Sequence, residues 1–273
     1  MKKNNSVLLS TPYILWMIAF TLIPLGVVGY YALTDPATGV FTFDNLKNLG
    51  MYLPVLWQSI WYSVCAAFFC LLLGYPVAYF IAHQGPVAQK LLYMLVMLPM
   101  CMRFLLRTLA WVGLLQDTGI INNFLDAIGI GRLQLIRTPG AVVLGMVYNY
   151  LPYMILPLYA IIVKIDGRLI EAAEDLGCTP VQTFLRVVLP LSVPGILSGI
   201  TMVFVPAVST FYISQKLGGT DTVLIGALIE RLCTQGDNPN LGAALSLVLM
   251  ALVLVCTGIM NRFGGDEEGG VVV

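Results

Sequence analysis

The stretch K-I-D-G-R-L-I-E-A-A-E-D-L-G-C-T-P-V-Q-T-F-L-R-V-V-L-P, Lys164 to Pro190, is the long polar interruption in the second half of an otherwise apolar chain. Its spacing predicts two short helices and one break. Leu169, Ala172, Ala173 and Leu176 recur at intervals of three and four, which lines them up as one stripe of a helix over 168–176. Glu171, Glu174 and Asp175 occupy the rest of that helix. Gly177 is placed as its stop, where a left-handed backbone is cheap only for glycine. Thr179-Pro180-Val181-Gln182 reads as a fresh start, with Thr179 as cap, Pro180 as first helical residue and Gln182 completing a capping box. Leu189-Pro190 closes the segment where the next apolar run begins. A membrane protein that only passes something through itself does not need such a helix–break–helix between two spans. One that is pushed from the cytoplasmic side does.

The surroundings set the solvent. Of 273 residues, 59% are hydrophobic and 10% charged, against about 25% charged in soluble domains; so much apolar surface points to lipid. A helix needs about 20 mostly apolar residues to cross the hydrocarbon core. Six segments qualify: 13–33, 56–82, 91–115, 139–163, 191–213 and 241–260. They lack the alternation of barrel strands, and helices satisfy their own backbone groups in lipid. The first run is too long for a signal-peptide core and lacks a clear cleavage pattern, so it reads as a retained span. Lys2, Lys3, Lys90, Lys164, Arg168, Arg186 and Arg262 fall on one side of this topology, seven basic residues against five on the other. Basic residues favour the cytoplasm. Both termini and the 164–190 segment are therefore expected inside, in a multi-pass protein of the cell (inner) membrane. Trp16, Trp57, Trp61 and Trp111 stand near span ends, as interfacial aromatics do.

Other chemistries find little support. Formal net charge is zero, so no basic patch suggests nucleic acid. The six cysteines form no C-x-x-C pair and read as small packing residues rather than metal ligands or disulfides. His83 is the single histidine and reads as interfacial. No metal site or cofactor is expected. The acidic stretch Asp266–Gly270 reads as a frayed terminus.

Glu171-Ala172-Ala173, Gly177 and then Val187-x-Leu189-Pro190 resemble the EAA loop of ATP-binding-cassette (ABC) importer permeases, with Val187 in place of the usual Ile. Further stretches are similar to the permease subunits of spermidine/putrescine importers: L-G-Y-P-V-A-Y (Leu73–Tyr79), V-Y-N-Y-L-P-Y-M-I-L-P-L-Y (Val147–Tyr159), V-L-P-L-S-V-P-G-I (Val188–Ile196) and F-Y-I-S-Q-K-L-G-G (Phe211–Gly219). The resemblance implies an all-α, six-span, type I (MetI-like) importer permease. It implies a first span with its extracytoplasmic loop over 1–55, a transmembrane domain over 56–262 and an acidic cytoplasmic tail over 263–273. It implies that Glu171, Ala172, Ala173, Gly177, Leu189 and Pro190 form a coupling helix seated on a cytoplasmic ATPase dimer. Its implied partners are that ATPase, a second, PotC-like permease subunit and an extracytoplasmic substrate-binding protein, all working on a solute of the polyamine class.

Transporter sites gather near the midplane where helices are interrupted. In the fourth span Tyr148, Asn149, Tyr150 and Tyr153 surround Pro152, and Asn149 and Tyr153 share a face at i, i+4. Rings with polar tips suit an organic cation, at about 0.5–2 kcal/mol per ring; the same tyrosines could equally pack and hydrogen-bond between helices. Tyr148, Asn149, Tyr153, Phe211 and Tyr212 are the expected path residues. Arg103 and Arg107 stand against this. Both fall in the third span, where an unpaired arginine costs about 2.5–3.5 kcal/mol. They must face a cavity, pair with an acid such as Asp117 or reach headgroups. Charge alone favours an anion, whereas the resemblance implies a cation and leaves the arginines structural or interfacial.

No G-x-x-x-x-G-K-[ST] loop occurs, so ATP would be hydrolysed by a separate subunit rather than by this chain. A self-contained secondary transporter is the competing class, but no span carries Asp or Glu for an ion relay. A membrane-embedded enzyme lacks the nucleophile elbow and the H-E-x-x-H motif.

Overall fold

Without water, each apolar run must close its backbone hydrogen bonds internally, and the runs fold as helices. The structure is a computed structural model that describes residues 13, 15–35, 39–129, 131–219, 222–235 and 238–264. Lys2, Lys3, Asp221 and the acidic stretch Asp266–Gly270 lie outside the described residues. The helices are α1 (Leu15–Ala32), α2 (Leu53–Ala82), α3 (Pro86–Cys101), α4 (Phe104–Leu115), α5 (Ile120–Ala127), α6 (Pro139–Ile162) and α7 (Gly167–Asp175). They continue with α8 (Pro180–Leu191), α9 (Val193–Ser209), α10 (Tyr212–Leu217), α11 (Ile225–Thr234) and α12 (Pro239–Gly264). Among the described residues the β structure is one isolated bridge, between Thr34 and Phe41.

Among the described residues, five helical stretches are long and apolar enough to cross a membrane: α1, the helix leading through α2, Phe104–Ala127, α6 and Pro239–Met260. The pair α8 and α9, bent by 63° between them, makes a sixth. The run 91–115, expected as one span, is not one helix. α3 ends at Cys101, and Met102 and Arg103 are extended, with ψ of 142° and 131°. Pro99 lies inside the last turn of α3, where it removes a backbone donor and weakens the ladder just before the break. The segment 191–213 is likewise interrupted, since Thr210 is extended between α9 and α10.

The chain divides into two compact units. In the first, Met1–Pro54 with Leu228–Leu252, Ala32, Ala243 and Ala244 are buried against Val28, Leu49 and Leu247. Asn45 Nδ2 donates to the carbonyls of Ala32 and Thr34 at 3.3 and 3.0 Å, and Asn240 Nδ2 also donates to Thr34 O. The second unit, Val55–Ala227 with Val253–Val273, is built around α6. Its Met146, Met154 and Leu158 have no exposed surface. Met154 is clasped between two glycines: a Cβ at Gly199 would lie 2.6 Å from its Sδ, and one at Gly74 would lie 3.1 Å from its Cγ. Small residues at such crossings let helix backbones approach, which is how helices associate where lipid is as apolar as leucine. Ser59 Oγ accepts from the backbone N–H of Ile225 at 2.8 Å and donates to Val55 O, so this buried hydroxyl is satisfied in full.

Within α8, Phe184–Val188 forms a π-turn, one residue wider than an α-turn. Leu189 and Pro190 continue the helix, and the break falls at Ser192, two residues later than the Leu189-Pro190 closure expected from the sequence.

Candidate functional site

Two places carry chemistry: the α7–α8 knuckle and a cavity beside α6.

The knuckle folds as its local sequence dictates. Asp166 caps α7 by accepting from Arg168 N at 3.0 Å. Gly177 adopts φ of +85°, Cys178 N donates to Ala173 O and Gly177 N donates to Glu174 O, which satisfies the last carbonyls of the helix. Thr179 and Gln182 make the reciprocal capping box. Glu171 and Ala172 are exposed, whereas Ala173 is buried and faces its own chain. Of the two alanines in the coupling helix implied by the resemblance, Ala172 is therefore the one whose surface is open to a partner. The knuckle also exposes Leu169 (48%), Leu176 (86%) and Val181 (66%), together with Glu171. Leu189 is half-buried against the core and Pro190 is exposed.

Below the knuckle, the rings of Tyr75 and Tyr79 on α2 meet the Phe184 ring edge-on, at 5.5 and 5.6 Å between centroids. Tyr75 Oη and Ser192 Oγ are 2.8 Å apart. Ser192 Oγ donates to Leu189 O at 2.9 Å, which leaves Tyr75 as donor to Ser192. The second span is thus bonded directly to the bend.

The cavity holds about 320 Å³ and is lined by Phe104, Arg107, Asn149, Tyr150, Tyr153, Ser209, Thr210, Phe211 and Tyr212. The breaks in the spans build it. α4 starts at Phe104 because of the extended Arg103, and α9 stops at Ser209 because Thr210 is extended. Four of the five path residues expected from the sequence converge here: Asn149, Tyr153, Phe211 and Tyr212. Tyr148 does not; it lies about 100° around α6 from Asn149 and packs its ring edge-on against Trp111 at 5.4 Å. The rings form a wall, with Tyr150 against Tyr153 at 6.3 Å and Phe104 between Tyr150 and Tyr212 at 6.5 and 6.3 Å. Lys216 Nζ sits 5.8 Å over the Tyr212 ring, so that ring already meets one cation.

Two polar groups in this wall have no partner. Asn149 is fully buried. Its Nδ2 donates to Gly145 O at 2.9 Å, while its Oδ1 accepts nothing. Arg107 is 6% exposed, with Nε and Nη1 unpaired. Sequence reasoning placed the two arginines on one continuous helix and took them as structural or interfacial. The break at Met102–Arg103 separates them: Arg103 is exposed in the link, and Arg107 is carried into the cavity. Phe104, Ser209 and Thr210 were also missed. The i, i+3 relation of Phe104 to Arg107 and the adjacency of Thr210 to Phe211 could have flagged them. Among the described residues, no group of His, Cys, Asp and Glu is arranged to hold a metal ion.

A bundle of broken apolar helices, with a polar-tipped aromatic cavity and a protruding helical knuckle, is built as a membrane permease. Known proteins agree. The chain is 39% identical over 251 residues to the "Spermidine/putrescine transport system permease protein PotB" of Haemophilus influenzae, covering 88% of each chain. It is 37% identical to the protein of that name from Escherichia coli K12, covering 88% of this chain and 92% of that one. A bacterial alginate ABC transporter, solved in complex with its alginate pentasaccharide-bound periplasmic protein, shares the fold with a TM-score of 0.76 at 20% identity, over 99% of this chain and 98% of that one. Residues 71–264 match the family described as "Binding-protein-dependent transport system inner membrane component", and the chain belongs to that family. It is a permease subunit of an ABC importer, with the type I importer fold, and a separate subunit hydrolyses ATP.

Proposed function

We propose that this permease forms part of the translocation path for polyamines such as spermidine and putrescine. The observation that carries the reading is Asn149 Oδ1, a fully buried acceptor without a donor, set among aromatic rings. A buried acceptor needs an N–H or O–H partner. A solute ammonium supplies one, and its charge meets the faces of Tyr153, Phe211 and Tyr150. The identity to permeases named for spermidine and putrescine supports the same solute class.

In this reading both termini and the knuckle are cytoplasmic. Glu171, Ala172, Gly177 and the α8 segment through Leu189 and Pro190 seat on an ATPase dimer, whose closure moves the knuckle. Tyr75 and Ser192 carry that movement to the spans, and the cavity changes the side it faces. A second, PotC-like permease completes the path, and an extracytoplasmic binding protein delivers the solute. The knuckle's acidic face supports docking on protein rather than on anionic lipid, which prefers basic helices. The 1–55, 56–262 and 263–273 division is kept as first span, transporting domain and tail.

Arg107 favours a second reading, an anionic solute. Radiolabelled uptake by the assembled importer separates the two: competition by unlabelled spermidine, with none by phosphate or sulfate, is the expected result, and the reverse pattern sinks the polyamine reading.

A further inference from the structure

The cavity contains two unmet demands of opposite kind. Asn149 Oδ1 requires a donor, and its amide cannot turn round, because Nδ2 is already committed to Gly145 O. The Arg107 guanidinium requires an acceptor: Nε and Nη1 are buried and unpaired. Arginine cannot relieve this by losing its proton. Asp117 does not reach it, and the ion pair formed nearby in the sequence, Arg132 with Asp126 at 3.5 Å, lies on the surface. Among the described spans, Phe104–Ala127 alone contains acids, Asp117 and Asp126, and both are exposed. The counter-charge must therefore come from outside the described part of this chain. A polyamine cannot supply it, and would be repelled by an uncompensated guanidinium in the same cavity.

We infer that Arg107 is a carboxylate-binding site. Resting on the polyamine reading, the carboxylate is an acidic side chain of the second permease, brought to the cavity when the importer assembles. The planar guanidinium fork matches two carboxylate oxygens, which makes it a specific receptor for such a group. Once paired, Arg107 no longer opposes an ammonium at Asn149. The acid is in turn held by the arginine and cannot trap the solute. The pair thus sets how tightly a cation is held and how fast it leaves. The other source of the same chemistry is the solute itself, which would then carry an ammonium for Asn149 and a carboxylate for Arg107.

The test uses the complete importer in proteoliposomes, with wild-type Arg107, Arg107→Gln, Arg107→Met and Arg107→Lys, and radiolabelled spermidine. Neutral variants strand the partner's carboxylate in the cavity, so KM for spermidine should fall about threefold or more while kcat falls by a similar factor. Arg107→Lys keeps the charge but loses the fork, and both constants should fall between those of wild type and those of the neutral variants. Should both neutral variants lose the second permease on purification while Arg107→Lys retains it, the same pairing is seen as lost assembly. If the wild-type importer ignores spermidine but takes up 4-aminobutyrate, with KM raised about tenfold by Arg107→Gln, the carboxylate site stands, its source is the solute, and the polyamine reading fails. Unchanged KM and kcat in the neutral variants, or failure of all three variants to assemble, overturns the inference.

Discussion

Tyr75 Oη donates to Ser192 Oγ across 2.8 Å, at the point where α8 turns through 63° into α9. Tyr75→Phe removes that donor and keeps the ring against Phe184. The lost hydrogen bond costs about 1 kcal/mol, too little to unfold a membrane bundle. The expected effect is mechanical: solute moved per ATP hydrolysed falls, while the ATPase still binds. Parallel measurement of uptake and phosphate release in proteoliposomes checks this, and an unaltered ratio removes the Tyr75–Ser192 contact from the coupling route.

Glu171 is exposed on the knuckle, and its reversal to lysine leaves α7 free to form, since helix propensities differ little. Glu171→Lys is expected to abolish co-purification of the ATPase with unchanged helical circular dichroism. Retention of the ATPase would show that Glu171 is not a docking residue. Crosslinkers at Ala172 should capture a polypeptide rather than phospholipid.

Removing the acceptor in the cavity should separate binding from folding. Asn149→Leu loses a charge-assisted hydrogen bond worth about 1.5–3 kcal/mol, so KM for spermidine should rise roughly tenfold or more. Tyr153→Leu removes one ring, worth about 0.5–2 kcal/mol, and should lower uptake less. Both variants should assemble normally by size-exclusion chromatography. Wild-type uptake in both would place the solute path elsewhere.

The Met154 clasp predicts a purely structural defect. At Gly199 even a Cβ would lie 2.6 Å from Met154 Sδ and 3.3 Å from the Met154 carbonyl oxygen, and Met154 is wholly buried. Gly199→Val is expected to cost about 1–3 kcal/mol, read as a lower thermal midpoint. Gly29→Val, where nothing lies within 4 Å of a Cβ, serves as the control and should leave the midpoint unchanged.

What the sequence made legible was local. The Gly177 stop and the Thr179–Gln182 box depend on residues within a few positions of one another, and the structure forms both. The break at Met102–Arg103 was hidden because hydropathy runs unbroken through 91–115, and a two-residue extended link changes direction without changing composition. That concealment put Arg107 on the wrong surface. Asn149 and Tyr153 were readable from the i, i+4 period alone, and the same period argues against Tyr148. Thr210 and Phe104 reach the cavity through the packing of α4 and α9 on α6, and its local trace in the sequence is their closeness to Phe211 and Arg107.

The wide turn at Phe184–Val188 has a further implication. It holds one residue more than a regular helix would between the Thr179 box and the Ser192 bend. Excising Val187 would let that stretch close into uniform α-helix. Five residues at the wide spacing turn through about the angle that four cover in an α-helix, so the knuckle would keep its bearing on the bundle. The extra residue is slack in the shaft, and its loss should leave the stroke intact.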